Sequence, residues 1–143
     1  MKRWSVLATV VLVAAVVGLA VTDSLFARRP AALVLQGAAV LLMLWARVTF
    51  GLRSFHAAAN PTAGGLVTTG PYHYVRHPIY SAVLVFLWAG IATHVSLLSV
   101  ALGVLATAAT AVRIWAEERL VVARYPDYRA YAARTKRIIP FIL

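Results

Sequence analysis

Apolar residues run through this chain in long unbroken blocks, not in the short periodic stripes of a soluble fold. Lys2-Arg3 precede an uncharged run from Trp4 to Val21. Wound as a helix, that run spans roughly 27 Å, close to the thickness of a hydrocarbon core. Its positive start also suits a signal peptide, but the run is longer than a usual signal core and is read as a retained span. Thr22 to Arg29 is a short connection carrying Asp23, Arg28 and Arg29. Pro30 opens a second apolar run to Ala46, bracketed at its far end by Arg47 and Arg53, with Trp45 as an interface anchor. Gly18 and Gly37 are either points of close helix approach or ordinary membrane-helix glycines.

Residues 54–77 form the one long polar connection: Ser54-Phe55-His56, Asn60-Pro61, Gly64-Gly65, then Gly70-Pro71-Tyr72-His73-Tyr74-Val75-Arg76-His77-Pro78-Ile79-Tyr80. A loop this long in so small a protein is functional or disordered, and its aromatic content argues against disorder. Gly70-Pro71 marks a turn. Pro78 fits the first position of a helix, and the geometry before a proline puts His77 just outside it. Arg76 and His77 then stand at a helix mouth whose free N–H groups and dipole favour an anion such as a carboxylate or phosphate.

From Ile79 to Val112 there is no formal charge, too long a stretch for one pass. Gly90 and Thr93-His94-Val95-Ser96 interrupt it, which predicts a tight hairpin of helices over 79–93 and 96–118. The first is short for a full span and is expected to tilt, re-enter or thin the bilayer. His94 reads as a hairpin-tip residue at the far interface. After Glu118, Arg119, Arg124, Arg129, Arg134, Lys136 and Arg137 alternate with Leu120, Val121, Tyr125, Tyr128, Tyr131 and Ile138. This amphipathic, basic, aromatic tail is expected to lie along the membrane surface and fold back over the hairpin's open end, with Pro140 ending it.

The chain is therefore read as all-α: a polytopic integral membrane protein of four transmembrane helices, a C-terminal helical hairpin and a basic tail. It is one domain over 1–143, with two helices in 1–53 and the loop, hairpin and tail in 54–143. Composition agrees, since 143 residues are 62% apolar and 13% charged where a soluble domain carries about a quarter. The absence of cysteine excludes disulfides, thiolate metal sites and a cysteine nucleophile. A net charge of +10 invites a nucleic-acid reading, but the basic residues flank apolar segments and no soluble domain is left to present them. Four spans put both termini and the 47–77 loop on one side. That side holds most of the Lys and Arg and should be cytoplasmic, with Arg28-Arg29 a modest violation.

Two constellations carry chemistry. Arg113 and Glu117 are four apart and share a helix face. A snorkelling arginine explains Arg113 alone, but two adjacent acids, Glu117 and Glu118, at a helix C-terminus on the membrane border oppose both the dipole and the cost of charge there. Function is the better reading for Glu117. His73 and His77 have metal-pair spacing on a helix, but Pro78 makes that helix unfavourable and no carboxylate is near in sequence, so no metal is expected. There is no G-x-S-x-G elbow and no phosphate or dinucleotide loop. The hairpin brings Arg76, His77 and Tyr80 to the membrane face of Arg113, Glu117 and Glu118. Together they offer an anion site, acids for a cation or sugar hydroxyls, and aromatic faces for a cation or purine. S-adenosylmethionine is one ligand that would use all three.

Leu66-Val67-Thr68-Thr69-Gly70-Pro71-Tyr72, Arg76-His77-Pro78-Ile79-Tyr80, Glu117-Glu118 and Tyr128 to Pro140, in that order, resemble the isoprenylcysteine carboxyl methyltransferase family. The related phospholipid methyltransferases share the R-H-P-x-Y and E-E elements. The resemblance covers about residues 60–143. It implies S-adenosylmethionine as cofactor, with contacts at Leu66, Val67, Tyr72, Arg76, His77, Pro78, Ile79, Tyr80, Glu117 and Glu118, and Arg113 facing the substrate. Three places depart from the pattern. Ala82 stands where glycine often follows, Tyr125-Pro126-Asp127-Tyr128 replaces an F-G-x-E-Y type segment, and an upstream glutamine has no clear counterpart, His56 and Asn60 being the available substitutes.

The implied activity is methyl transfer to a lipophilic acceptor, an isoprenylcysteine-like carboxylate or related small lipid, at the cytoplasmic face. In that reading Arg113 and His77 are the catalytic candidates, and the partners are the acceptor and membrane lipids. The rival is a non-enzymatic membrane protein whose basic tail binds anionic lipid or a partner.

Overall fold

The computed structural model describes residues 2–51 and 65–139, so His56, Asn60 and Pro140 lie outside the described residues. Five α-helices follow in order: α1 (Lys2–Val21), α2 (Pro30–Phe50), α3 (Pro78–Ile91), α4 (Leu97–Arg124) and α5 (Tyr128–Arg134), with a 3-10 turn at Gly70–His73 before α3. Among the described residues α1, α2 and α4 are long and apolar enough to cross a bilayer. α3 is equally apolar but has 14 residues, about 21 Å.

Local chemistry sets these boundaries. Pro30 and Pro78 occupy the first turns of α2 and α3, with His77 as the N-cap residue of α3. Ser96 caps α4: its hydroxyl accepts from Ser99 N at 3.0 Å, while Ser99 Oγ accepts from Ser96 N at 2.9 Å. α4 does not stop near residue 118 as its pattern predicts. Arg119-Leu-Val-Val-Ala-Arg124 continues the helix, and Tyr125-Pro126 ends it. Glu117 and Glu118 thus sit about two turns inside α4, so an unfavourable dipole at a helix end no longer bears on them. At 28 residues α4 measures 42 Å by its rise, about 12 Å more than a hydrocarbon core, so its acid-bearing end can project beyond that core.

The packing is by pairs. α1 lies along α4 and α2 along α3. The first pair is antiparallel: Thr9 of α1 meets Arg113, and Gly18 stands so close to α4 that a Cβ there would lie 3.1 Å from the Leu102 side chain. Gly37 has no such neighbour. The core where α1, α3 and α4 converge is Ala15, Leu19, Leu87, Ile91 and Ala106. Small residues at such contacts let membrane helices approach, where lipid offers no hydrophobic drive.

The far end is fastened chiefly by Gln36. Gln36, buried in α2, donates to Leu25 O at 2.8 Å and Phe86 O at 3.0 Å and accepts from Ala27 N at 3.0 Å. It ties the α1–α2 connection to α3. Gly90 makes room for that connection: a Cβ would collide with the Leu25 carbonyl and come within 2.9 Å of Ser24 O. His94 lies in the α3–α4 turn as expected, with Nδ1 3.1 Å from Gly90 O. Because the neighbour at Gly90 is backbone, Gly90→Ala is expected to destabilise the protein by about 1–3 kcal/mol, read as a lowered melting temperature in detergent. An unchanged melt would mean that the connection does not press on α3.

Candidate active site

Two extended segments build the site's wall. Val75 pairs with Lys136 in a parallel bridge, Arg76 N donates to Lys136 O at 2.7 Å, and His77 N donates to Arg137 O at 3.0 Å. Ser81 Oγ donates to Ile138 O at 2.6 Å, and Tyr131 Oη donates to Tyr72 O at 2.6 Å. The tail from α5 onward is thus a strap, laced to the R-H-P-x-Y motif mainly through backbone groups. Burial raises the Tyr131 phenol to about 12, so it remains a donor at physiological pH. The Tyr72 ring packs on Phe50 with centroids 5.4 Å apart, and burial raises its phenol too.

The two adjacent acids diverge, because successive helical residues point about 100° apart. Glu118 turns to the strap. It accepts from Arg76 Nε at 2.9 Å, Arg137 Nε at 3.0 Å and Tyr128 Oη at 3.3 Å. Arg76, expected to hold an anion, also donates through Nη1 to the carbonyls of Ala132, at 2.8 Å, and Thr135. Its guanidinium therefore serves the strap.

Glu117 turns into the bundle. It accepts from Tyr80 Oη and from Arg113 Nη2 at 3.1 Å. Arg113 Nε donates to Tyr80 Oη at 2.6 Å, and Nη1 donates to Thr9 Oγ1. Thr9 in turn donates to Ser5 O at 2.8 Å, which leaves its lone pairs for the arginine. Arg113 is buried, at 6% exposure, rather than snorkelling. His77 lies between the acids, with Nδ1 3.8 Å from Glu117 and Nε2 3.5 Å from Glu118. Neither contact is a hydrogen bond in length and alignment, and the buried Nε2 has no hydrogen-bond partner among the described residues.

The structure therefore joins Arg76, His77, Tyr80, Arg113, Glu117 and Glu118 at one end of the bundle. Pro78 is buried and Ile79 half-buried at the start of α3. Leu66 and Val67 lie half-buried before the 3-10 turn, with no hydrogen bond to the cluster among the described residues. His73 turns away onto the Tyr74 ring, so the two histidines part. The residue that sequence reasoning missed is Thr9. Its signal is faint: Ser5 and Thr9 sit one turn apart in a helix that is otherwise apolar after Arg3.

Long apolar helices holding a buried cluster of ionisable side chains at one end define a membrane protein with a polar site. Residues 27–128 match the family described as phospholipid methyltransferase, and the chain belongs to that family of membrane methyltransferases. The match takes in the motif, Arg113 and both acids, but not Thr9 or the strap beyond Tyr128. No curated protein and no solved structure matches the chain.

Removing Glu118 leaves Arg76 and Arg137 without their carboxylate. Glu118→Ala is expected to cost about 3 kcal/mol. It should speed hydrogen exchange at the Arg76 and His77 amides, whose partners are strap carbonyls, by about 100-fold. Unchanged exchange would mean that the strap is held by other contacts.

Proposed function

We propose that this protein transfers a methyl group from S-adenosylmethionine to a lipophilic acceptor at the cytoplasmic membrane face. The observation that carries the reading is the Tyr80–Arg113–Glu117 cluster beside His77, whose Nε2 lies 3.5 Å from Glu118 and makes no hydrogen bond among the described residues. Family membership supports methyl transfer, and the donor set fits the cofactor. Glu117 keeps 23% of its side chain exposed and presents a carboxylate suited to an ammonium or ribose hydroxyls. The His77 and Tyr80 rings pack together with centroids 5.8 Å apart, and aromatic rings suit a cation or a purine.

The cofactor supplies an electrophilic methyl on a sulfonium centre. The chain's own residues do the rest. Glu117 binds the cofactor's amino or ribose groups. Arg113, steadied by Tyr80 and Thr9, orients an acceptor carboxylate, and a positioned planar guanidinium is well shaped for that. With an amine or thiol acceptor, His77 Nε2 takes up the acceptor's proton. Apolar helices exclude water, which favours neutralisation of opposite charges over their separation. Arg76 and Glu118 position His77 by fixing the strap, while Leu66, Val67, Tyr72, Pro78 and Ile79 complete the cofactor's apolar surroundings.

In this reading α3 is a fourth, tilted crossing. The end bearing Arg47, Arg76 and the strap is cytoplasmic, because it carries most of the basic residues. S-adenosylhomocysteine at one hundred times its dissociation constant should then stabilise the protein by about 2.7 kcal/mol, and Glu117→Ala should abolish both that shift and calorimetric binding. A wild-type protein that does not respond would support the non-enzymatic alternative, and a Glu117→Ala protein that keeps its affinity would remove Glu117 from the site.

A further inference from the structure

The family match begins at residue 27, so α1 lies wholly outside it. One α1 side chain nonetheless enters the polar cluster. A threonine in an apolar helix commonly satisfies its hydroxyl on a carbonyl one turn back, as Thr9 does on Ser5 O at 2.8 Å. That bond uses the hydroxyl's proton. The oxygen remains an acceptor, and Arg113 Nη1 donates to it.

This contact bears on which way the guanidinium faces. Arg113 turns a different nitrogen to each of three partners: Nε to Tyr80 Oη at 2.6 Å, Nη1 to Thr9, and Nη2 to Glu117 Oε1 at 3.1 Å. A guanidinium and a carboxylate favour a two-pronged pairing, with one nitrogen on each oxygen. Here Arg113 and Tyr80 both donate to Oε1. Glu117 Oε2 accepts no hydrogen bond among the described residues and lies 3.8 Å from His77 Nδ1. The Glu117 side chain is 23% exposed, so this second oxygen is the one left for a ligand.

Without the Thr9 hydroxyl that arrangement loses its restraint. Arg113 is 6% exposed, so an N–H deprived of its acceptor has little access to water. A buried, unpaired donor on a charged group is costly. Within the same ion pair, Oε2 is the acceptor that carries no hydrogen bond. A guanidinium that turns to it completes the two-pronged pairing and closes the carboxylate to other partners.

We infer that Thr9 is a positioning residue for cofactor binding: by holding Nη1 of Arg113 against α1, it limits the arginine to one oxygen of Glu117 and keeps the other for the ammonium or ribose hydroxyls of S-adenosylmethionine. The inference rests on the reading of Glu117 as a cofactor ligand. It makes α1 a working part of the site, although Thr9 itself touches neither cofactor nor acceptor.

The test is calorimetric titration of the full-length chain, in a bilayer mimic, with S-adenosylhomocysteine. Thr9→Val keeps the shape of the side chain and removes its hydroxyl. It is expected to weaken binding by about 10-fold, the worth of one hydrogen bond to a charged group. Thr9→Ser keeps the hydroxyl and is expected to retain wild-type affinity. Thr9→Ala supplies a second hydroxyl-free variant if Thr9→Val does not fold. The effect must also run through Arg113. Lysine has no fork to close on Glu117, so in an Arg113→Lys background Thr9→Val is expected to change affinity by less than about 2-fold. A loss of packing alone would repeat in that background. Wild-type affinity in Thr9→Val, equal losses in the two backgrounds, or a Thr9→Ser protein as weak as Thr9→Val would overturn this inference and leave the cofactor reading standing. A wild-type protein that does not bind S-adenosylhomocysteine would overturn that reading and the inference with it.

Discussion

The Arg76–Glu118 ion pair joins residues 42 apart in sequence at 2.9 Å, with both side chains largely withdrawn from solvent. Charges withdrawn in this way are tolerated when paired and hydrogen-bonded, and costly when not. Around this pair the chain meets that requirement by dividing its two adjacent acids. Glu118 collects Arg76, Arg137 and Tyr128, while Glu117 collects Tyr80 and Arg113. The first set adds side-chain ties to the backbone bonds that lace the strap. The second forms a polar site inside the bundle, with His77 between the two. One helical step of about 100° separates the carboxylate that meets the strap from the one that faces Tyr80 and Arg113.

The rest of the bundle makes this junction possible. α4 extends beyond the length of a hydrocarbon core, so its acids can lie where charge is less costly. α1 packs along α4 closely enough that Thr9 reaches Arg113. α2 and the 3-10 turn meet at Gly70, where a Cβ would lie 3.1 Å from Thr49 Cγ2 and 3.3 Å from Trp45 Nε1. The double wall of 75–77 and 136–138 sorts the chemistry, with arginines on one side and Val75 and Ile138 on the other.

Much of this was legible in the sequence because membrane constraints are severe. Uncharged runs of bilayer length mark α1 and α2, Pro78 marks the start of α3, and the residue before that proline is the N-cap it should be. The meeting of 76–80 with 113–118 followed from hairpin geometry and the motif resemblance. What escaped was of a different kind. The strap is held largely by Lys136, Arg137 and Ile138 carbonyls, and backbone acceptors leave no side-chain pattern to read. Arg76 looked like an anion site because its tail carbonyl partners were invisible. α4 runs past the end its apolar pattern predicts, because 119–124 contains no helix breaker and Pro126 follows. Thr9 was overlooked because a threonine in an apolar helix is usually bonded within its own turn, as Thr9 is to Ser5 as well.

The contact between residues 76 and 118 can be measured directly as a coupling energy. A double-mutant cycle with Arg76→Ala, Glu118→Ala and the pair, followed by thermal unfolding in a bilayer mimic, isolates their interaction from the cost of each change alone. A coupling of about 1.5–3 kcal/mol is the result predicted for a buried, directly bonded pair. Additive losses, with coupling below about 0.5 kcal/mol, would contradict the arrangement of motif, acids and strap on which the site depends.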